Sequence, residues 1–240
     1  MEVQVRPNEA SLTPLDKMVI EVVDLRRTYK IGSHQEVQAL RGINLQIFRG
    51  ECVAVKGRSG SGKTTMLNCI GGLDRPTSGY VKVFGEELTK LSDQELTQYH
   101  REKVGFIFQS FGLTSTYSAF ENVELLLRIA GAGIKHRRER ALHCLELVGL
   151  AKWKNHRPNE MSGGQQQRLA IARALANQPR ILLADEPTGK LDTATARDIF
   201  GLFRRVVSEE EVTVLMAAHD PLVDEYADRV LRLKDGNIID

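Results

Sequence analysis

The chain lacks any apolar run approaching the ~20 residues that a membrane-crossing helix needs. Near its start it carries Pro7, Pro14 and several charges, where a secretory signal would carry an apolar core. Both absences predict a chain that does not enter a membrane itself. Cysteine is scarce as well. Cys52, Cys69 and Cys144 stand far apart, with neither metal-ligand spacing nor a redox pair, as expected of small hydrophobes in a reducing compartment. A formal net charge of only +2 over 240 residues gives no basic surface for nucleic acid or anionic lipid. Tandem repeats and low-complexity stretches are absent too.

What is present alternates between two periodicities. Residues 18–23 (MVIEVV) and 43–47 (INLQI) suit strands near a sheet edge. Residues 51–56 (ECVAVK) form a compact apolar strand, followed after a Gly-rich loop by helical spacing over 64–71. Further strands are predicted at 80–84, 104–108, 180–184 and 212–217, with a closing pair within 229–239. Residues 120–150 carry only helical periodicity, broken at Gly131-Ala132-Gly133, and read as a helical insertion. Helices are also predicted from Gly164 up to Pro179 and over 193–208. The fold class is therefore α/β: a mostly parallel sheet with helices on both faces, edge strands and an inserted helical segment. Residues 1–17 read as a tail, 18–110 and 161–240 as the core, and 111–160 as the helical subdomain.

Gly57-Arg58-Ser59-Gly60-Ser61-Gly62-Lys63-Thr64 fits G-x-x-x-x-G-K-[ST] in full. The glycines let successive N–H groups turn inward on an anion, and the helix that begins there adds its positive end. Lys63 brings a compact charge to the β- and γ-phosphates of ATP, and Thr64 offers its hydroxyl to Mg²⁺. Thr65, next in the helix, is included in the nucleotide site. A chance match in a chain this long is on the order of one in a hundred, and the strand before and helix after lower it further. Downstream, residues 181–186 (ILLADE) deliver two carboxylates at the C-terminal end of an apolar strand, where ligands of open α/β sheets bind. Asp185 is expected to hold Mg²⁺, and Glu186 to orient or deprotonate the water that attacks the γ-phosphate.

Between these motifs, Met161-Ser162-Gly163-Gly164-Gln165 precedes Gln166-Gln167-Arg168. Here the sequence resembles the ATP-binding cassette ATPases, whose signature reads LSGGQ ahead of a QR-containing helix. The resemblance runs from about Met18 to the end, with the motifs in the family's order. It implies that Tyr29 stacks on adenine. It also implies that Gln109 senses Mg²⁺ and the attacking water while linking core to helical insertion, and that His219 contacts the γ-phosphate. Residues 189–192 resemble the loop that meets the opposite subunit. Ser162-Gly163-Gly164 heads a helix and so forms a second anion cradle. One ATP fills the first cradle, and the economical way to fill the second is a head-to-tail homodimer with two ATP molecules between subunits. IGGLDRPTSG, FIFQSFGL and PTGKLD narrow the resemblance to a branch that includes lipoprotein-release, macrolide-exporter and cell-division ATPases. This chain departs from the branch at Met161, a volume-conserving change from Leu, and at Lys190, where Asn is common.

The resemblance implies an ATPase that powers a separate integral permease with an extracytoplasmic domain. Such a subunit sits on the cytoplasmic, inner face of the cell membrane, and its coupling groove lies near residues 109–121. The competing reading is a soluble mechanical ATPase acting on DNA or ribosomes. Those relatives carry coiled coils, zinc modules or tandem cassettes that this sequence lacks, so no nucleic-acid partner is expected. A module that holds ATP without hydrolysis is disfavoured by the intact Glu186, Gln109 and His219.

Overall fold

The structure is a computed structural model, and it describes residues 17–32 and 35–239. Apart from Lys17, the proposed N-terminal tail lies outside the described residues.

Short runs that are apolar at every position can be buried only if both faces of their sheet are covered, and that rule builds the centre. β3 (Cys52–Lys56), β6 (Val104–Ile107), β7 (Ile181–Asp185) and β8 (Thr213–Ala218) are such runs and lie parallel, and the more polar β9 (Arg229–Lys234) runs parallel beside β3. The two-residue β10 (Asn237–Ile238) pairs antiparallel to β9, giving the order β10-β9-β3-β8-β7-β6. Alternation along each strand divides the interior in two. Cys52 and Ala54 of β3, with Leu182, Ala184, Val214 and Met216, face one cluster; Val53, Val55, Leu183, Leu215 and Ala217 face the other.

The second cluster is closed by an antiparallel sheet of β1 (Met18–Ile31), β2 (Gln35–Phe48), β4 (Ser78–Val83) and β5 (Glu86–Glu87), in the order β2-β1-β4-β5. Helix α1 (Lys63–Ile70) packs inside it through Met66, Leu67 and Ile70. Both long strands extend well beyond the predicted stretches, because β1 and β2 pair with each other over polar residues that carry no alternation signal. The structure also adds α2 (Asp93–Glu102), which the sequence reading passed over. Tyr99 is its only fully buried residue and most of the others are polar, so no apolar run marks it; its signal is the Ser92–Glu95 capping box.

The first cluster contains α3 (Ala119–Ile129), α4 (Ile134–Leu147), α5 (Gly163–Ala174) and α6 (Thr193–Glu209). No strand occurs among residues 111–160, all of which are described. Ser118 caps α3 reciprocally with Glu121, and Ser162 caps α5 reciprocally with Gln165. Asp192 caps α6 through the Thr195 amide. The turn before α3 is fixed by Asn122. Its amide oxygen accepts from Thr114 N at 2.8 Å, and its amide nitrogen donates to the carbonyls of Thr114, Tyr117 and Ser118. Among the described residues no helix is long and apolar enough to cross a membrane.

Candidate active site

Four adjacent parallel strands end at one edge, and each hands over a motif residue. β3 runs into the phosphate loop, β8 into His219, β7 into Asp185-Glu186, and β6 reaches Gln109 two residues past its end. Open α/β sheets collect their ligands at this carboxyl edge.

The loop's shape depends on two glycines. Gly62 has φ 105°, a conformation that favours glycine, and it caps α1 without a side chain. Gly57 is a close approach: a Cβ there would lie 2.4 Å from the Leu233 carbonyl and 2.5 Å from Ser61 Oγ. The turn at Asp235-Gly236 braces the loop from outside, with Gly236 N donating to the Ser61 carbonyl at 3.1 Å. Lys63 is 5 % exposed and curls back over the loop, donating to the carbonyls of Gly57 at 2.9 Å and Arg58 at 3.2 Å.

Glu186 is the hub. One carboxylate oxygen lies 3.5 Å from Lys63 Nζ; the other accepts from Gln109 Nε2 at 3.1 Å and lies 3.4 Å from His219 Nδ1. Its backbone sits at φ 45°, which for a residue with a Cβ costs about 1–2 kcal/mol. That strain is held by Glu186 N donating to the Ala217 carbonyl and by Gly189 N donating to the Glu186 carbonyl. Next to it, Asp185 Oδ2 accepts from Thr64 Oγ1 at 2.9 Å. Burial, together with the neighbouring Glu186 charge, pushes the Asp185 carboxyl above the usual range, against the pull of Thr64 and Lys63.

These residues fit an Mg²⁺-bound nucleoside triphosphate. Among the described residues Asp185 Oδ1 and Ser61 Oγ are buried without a hydrogen-bond partner, one on the carboxyl group that Thr64 contacts and the other inside the phosphate cradle. A cavity of ≈ 720 Å³ runs along Gly57 to Ser61, with His219 at its side. Arg58, Arg232 and Lys234 line it as well, giving it the cationic walls a polyphosphate requires. The sequence reading missed Arg232 and Lys234; the closing strand pair gave no sign that it folds back against the loop.

Tyr29 stands at the edge of this set, beside Thr65 of the loop helix. Its hydroxyl donates to Asp74 at 2.5 Å, the Arg27 guanidinium covers its ring at 4.5 Å, and it does not line the cavity. The signature residues also stand elsewhere on the chain. Ser162 and Gln165 cap each other, with Gln165 N to Ser162 Oγ at 3.3 Å and Ser162 N to Gln165 Oε1 at 2.8 Å. Ser162 and Gly163 are exposed. Between the two halves, Arg173 of α5 donates to the carbonyls of Phe111 and Gly112, so the helix that carries the signature also grips the Gln109 loop. Burial holds its guanidinium below its usual range. In the 189–192 loop, Lys190 Nζ lies 5.9 Å above the Phe111 ring.

Residues 40–189 match the family model described as ABC transporter, which covers more than half of the chain. The chain is 43% identical over 221 residues to the lipoprotein-releasing system ATP-binding protein LolD 1 of Rhodopseudomonas palustris, covering 92% of this chain and 98% of that protein. It is 46% identical over 222 residues to the macrolide export ATP-binding/permease protein MacB of Syntrophobacter fumaroxidans, matching 92% of this chain but only 31% of that one. Among solved structures it resembles the ATP-binding cassette MJ0796 of Methanocaldococcus jannaschii, in a dimeric post-hydrolysis state bound to ADP and Pi. The TM-score is 0.84 at 44% identity, with 92% of this chain and 97% of that chain covered. The chain belongs to the ABC transporter family, as one of its ATP-binding, ATP-hydrolysing subunits.

Proposed function

We propose that two copies of this chain close head to tail around two ATP molecules, and that closing and reopening drives a separate membrane permease. The observation that carries the chemical half is the convergence on Glu186 of Lys63, Gln109 and His219, beside the Thr64–Asp185 pair.

In this reading the loop amides from Gly57 to Thr64 and the Lys63 ammonium bind the phosphates, with Thr65 in the same turn. Thr64, Asp185 and Gln109 would hold Mg²⁺, which when bound would supply Lewis-acid neutralisation of the phosphate charge. Gln109 orients a water whose proton passes to Glu186 as its oxygen attacks the γ-phosphorus; the bond to the ADP oxygen breaks. His219 donates to the γ-phosphate, and Tyr29 faces adenine. Ser162, Gly163, Gly164 and Gln165 complete the site from the other subunit. Support comes from the exposure of that second cradle and from the dimeric state of the MJ0796 cassette. ATP favours the closed pair because it touches both halves, and hydrolysis removes the differential contact.

The permease half rests on the relatives. MacB joins ATP-binding and permease parts in one polypeptide, and this chain matches about its ATP-binding third. We assign residues 18–110 and 161–240 to the core and 111–160 to a helical subdomain against which the permease docks. The working location is the cytoplasmic face of the cell membrane. Purification of the tagged chain from its own cells in mild detergent tests this. A multi-span permease is expected to accompany it; ribosomes or nucleic acid instead would overturn the transport reading.

A further inference from the structure

Ser162 caps the start of α5, and Asp192, the last residue of the 189–192 loop, caps the start of α6. Both starts are surfaces that a partner subunit must meet at the same moment. At this end the helices touch closely: a Cβ on Gly164 would lie 2.6 Å from Thr195 Cγ2. Farther along, Arg168 of α5 reaches Asp198 of α6 at 3.5 Å.

At the other end a third helix fastens them. Arg140 of α4 is 8 % exposed and divides its guanidinium between two elements. It donates to the carbonyls of Leu175 at 2.8 Å and Ala176 at 3.3 Å, just past the end of α5. It also grips both carboxylate oxygens of Glu210, the C-cap residue just past α6, at 3.2 and 2.7 Å. His143 of α4 approaches the same carboxylate at 2.9 Å. Burial raises the Glu210 pKa, but the hydrogen bonds from Arg140 and His143 outweigh it and hold the group below the usual carboxylate range. A bidentate, buried, charge-assisted pair is directional in a way that apolar packing is not. A second strap lies alongside, where Arg205 of α6 donates to the Leu147 carbonyl at the end of α4.

We infer that Glu210, through Arg140, is a positioning residue for ATP-driven closure. The clasp locks α4, α5 and α6 into one block, so that the Ser162 turn and the 189–192 loop are presented to the partner at a fixed separation. Neither residue touches nucleotide; both act through the far ends of the helices that do. This rests on the composite-site reading above.

The test uses the full chain carrying Glu186→Gln, with ATP-dependent dimerisation followed by sedimentation velocity and ATP binding to the monomer measured separately. Adding Glu210→Ala or Arg140→Met is expected to raise the ATP concentration for half-dimerisation by about tenfold or more. Monomer ATP binding is expected to stay unchanged. Glu210→Gln, which keeps one acceptor for Arg140, is expected to restore part of the loss. Phe203→Leu, an apolar truncation in the same helix, serves as a stability control and is expected to dimerise normally at temperatures where it is folded. Dimerisation of the Glu210→Ala protein at the parent's ATP concentration would overturn the inference. So would an equal loss in the Phe203→Leu control at matched thermal stability. If the Glu186→Gln parent itself fails to dimerise with ATP, the composite-site reading falls instead.

Discussion

Replacing Glu186 by glutamine is expected to slow steady-state ATP hydrolysis by about a thousandfold while ATP still binds. The amide keeps the length and shape of the side chain, so Gln109 and His219 retain a neighbour of the same size. What disappears is the basic oxygen that accepts the water's proton. The strained backbone at residue 186 is carried by main-chain bonds to Ala217 and Gly189, which the substitution leaves alone. Lys63 also loses a carboxylate 3.5 Å away, which removes a competitor for its charge. Binding is therefore expected to hold or tighten. Turnover by phosphate release, set beside equilibrium binding of ATP, separates the two effects. Wild-type turnover by the variant would remove Glu186 from the role of base.

Lys63→Ala is expected to fail one step earlier, weakening ATP binding by about 3 kcal/mol, roughly a hundredfold in Kd. The ammonium is almost fully buried, and the carbonyls of Gly57 and Arg58 hold it over the cradle. Without it, the phosphates meet backbone amides and a helix end alone. The fold is expected to survive, since Met66, Leu67 and Ile70 rather than Lys63 pack α1 into the core. Titration calorimetry with ATP and Mg²⁺ measures the loss. A variant binding within twofold of the parent would contradict the phosphate assignment.

The contrast between these two positions and the clasp marks what one-dimensional reading can reach. The phosphate loop is legible because its glycines, lysine and threonine are contiguous and their chemistry depends on spacing. Asp185-Glu186 is legible because an apolar run delivers it. Arg140, Arg173 and Glu210 are not, because an isolated charge reads as a solvated surface until the fold buries it against carbonyls or an opposite charge from elsewhere in the chain. Residues 93–102 escaped for a different reason: the helix is polar on average, with Leu96 and Tyr99 as its apolar residues, so no apolar run marks it. The edge strands were cut short because β1 and β2 stabilise each other by main-chain pairing over residues such as Arg26, Arg27 and Gln38. Tyr29 sits between these cases. Resemblance singles it out, and in the structure its hydroxyl bonds Asp74 while Arg27 lies over its ring.

The central claim is that each ATP is shared between the phosphate loop of one subunit and the signature turn of the other, and a mixing experiment tests it most directly. Two proteins are needed, both carrying Glu186→Gln, one with Lys63→Ala added and the other with Gly163→Asp. The Gly163→Asp substitution places a carboxylate in the second cradle without upsetting the fold. A Cβ there meets only Leu191 at 3.5 Å, and an acid in a helix's first turn is favourable. Alone, each protein puts one defect into both shared sites, and neither is expected to dimerise with ATP. Mixed in equal amounts, they gather both defects into one site and leave the other whole, so ATP-dependent heterodimers holding one ATP are expected. If each site instead lay within a single subunit, the mixture would dimerise no better than either protein alone, and the account would be contradicted.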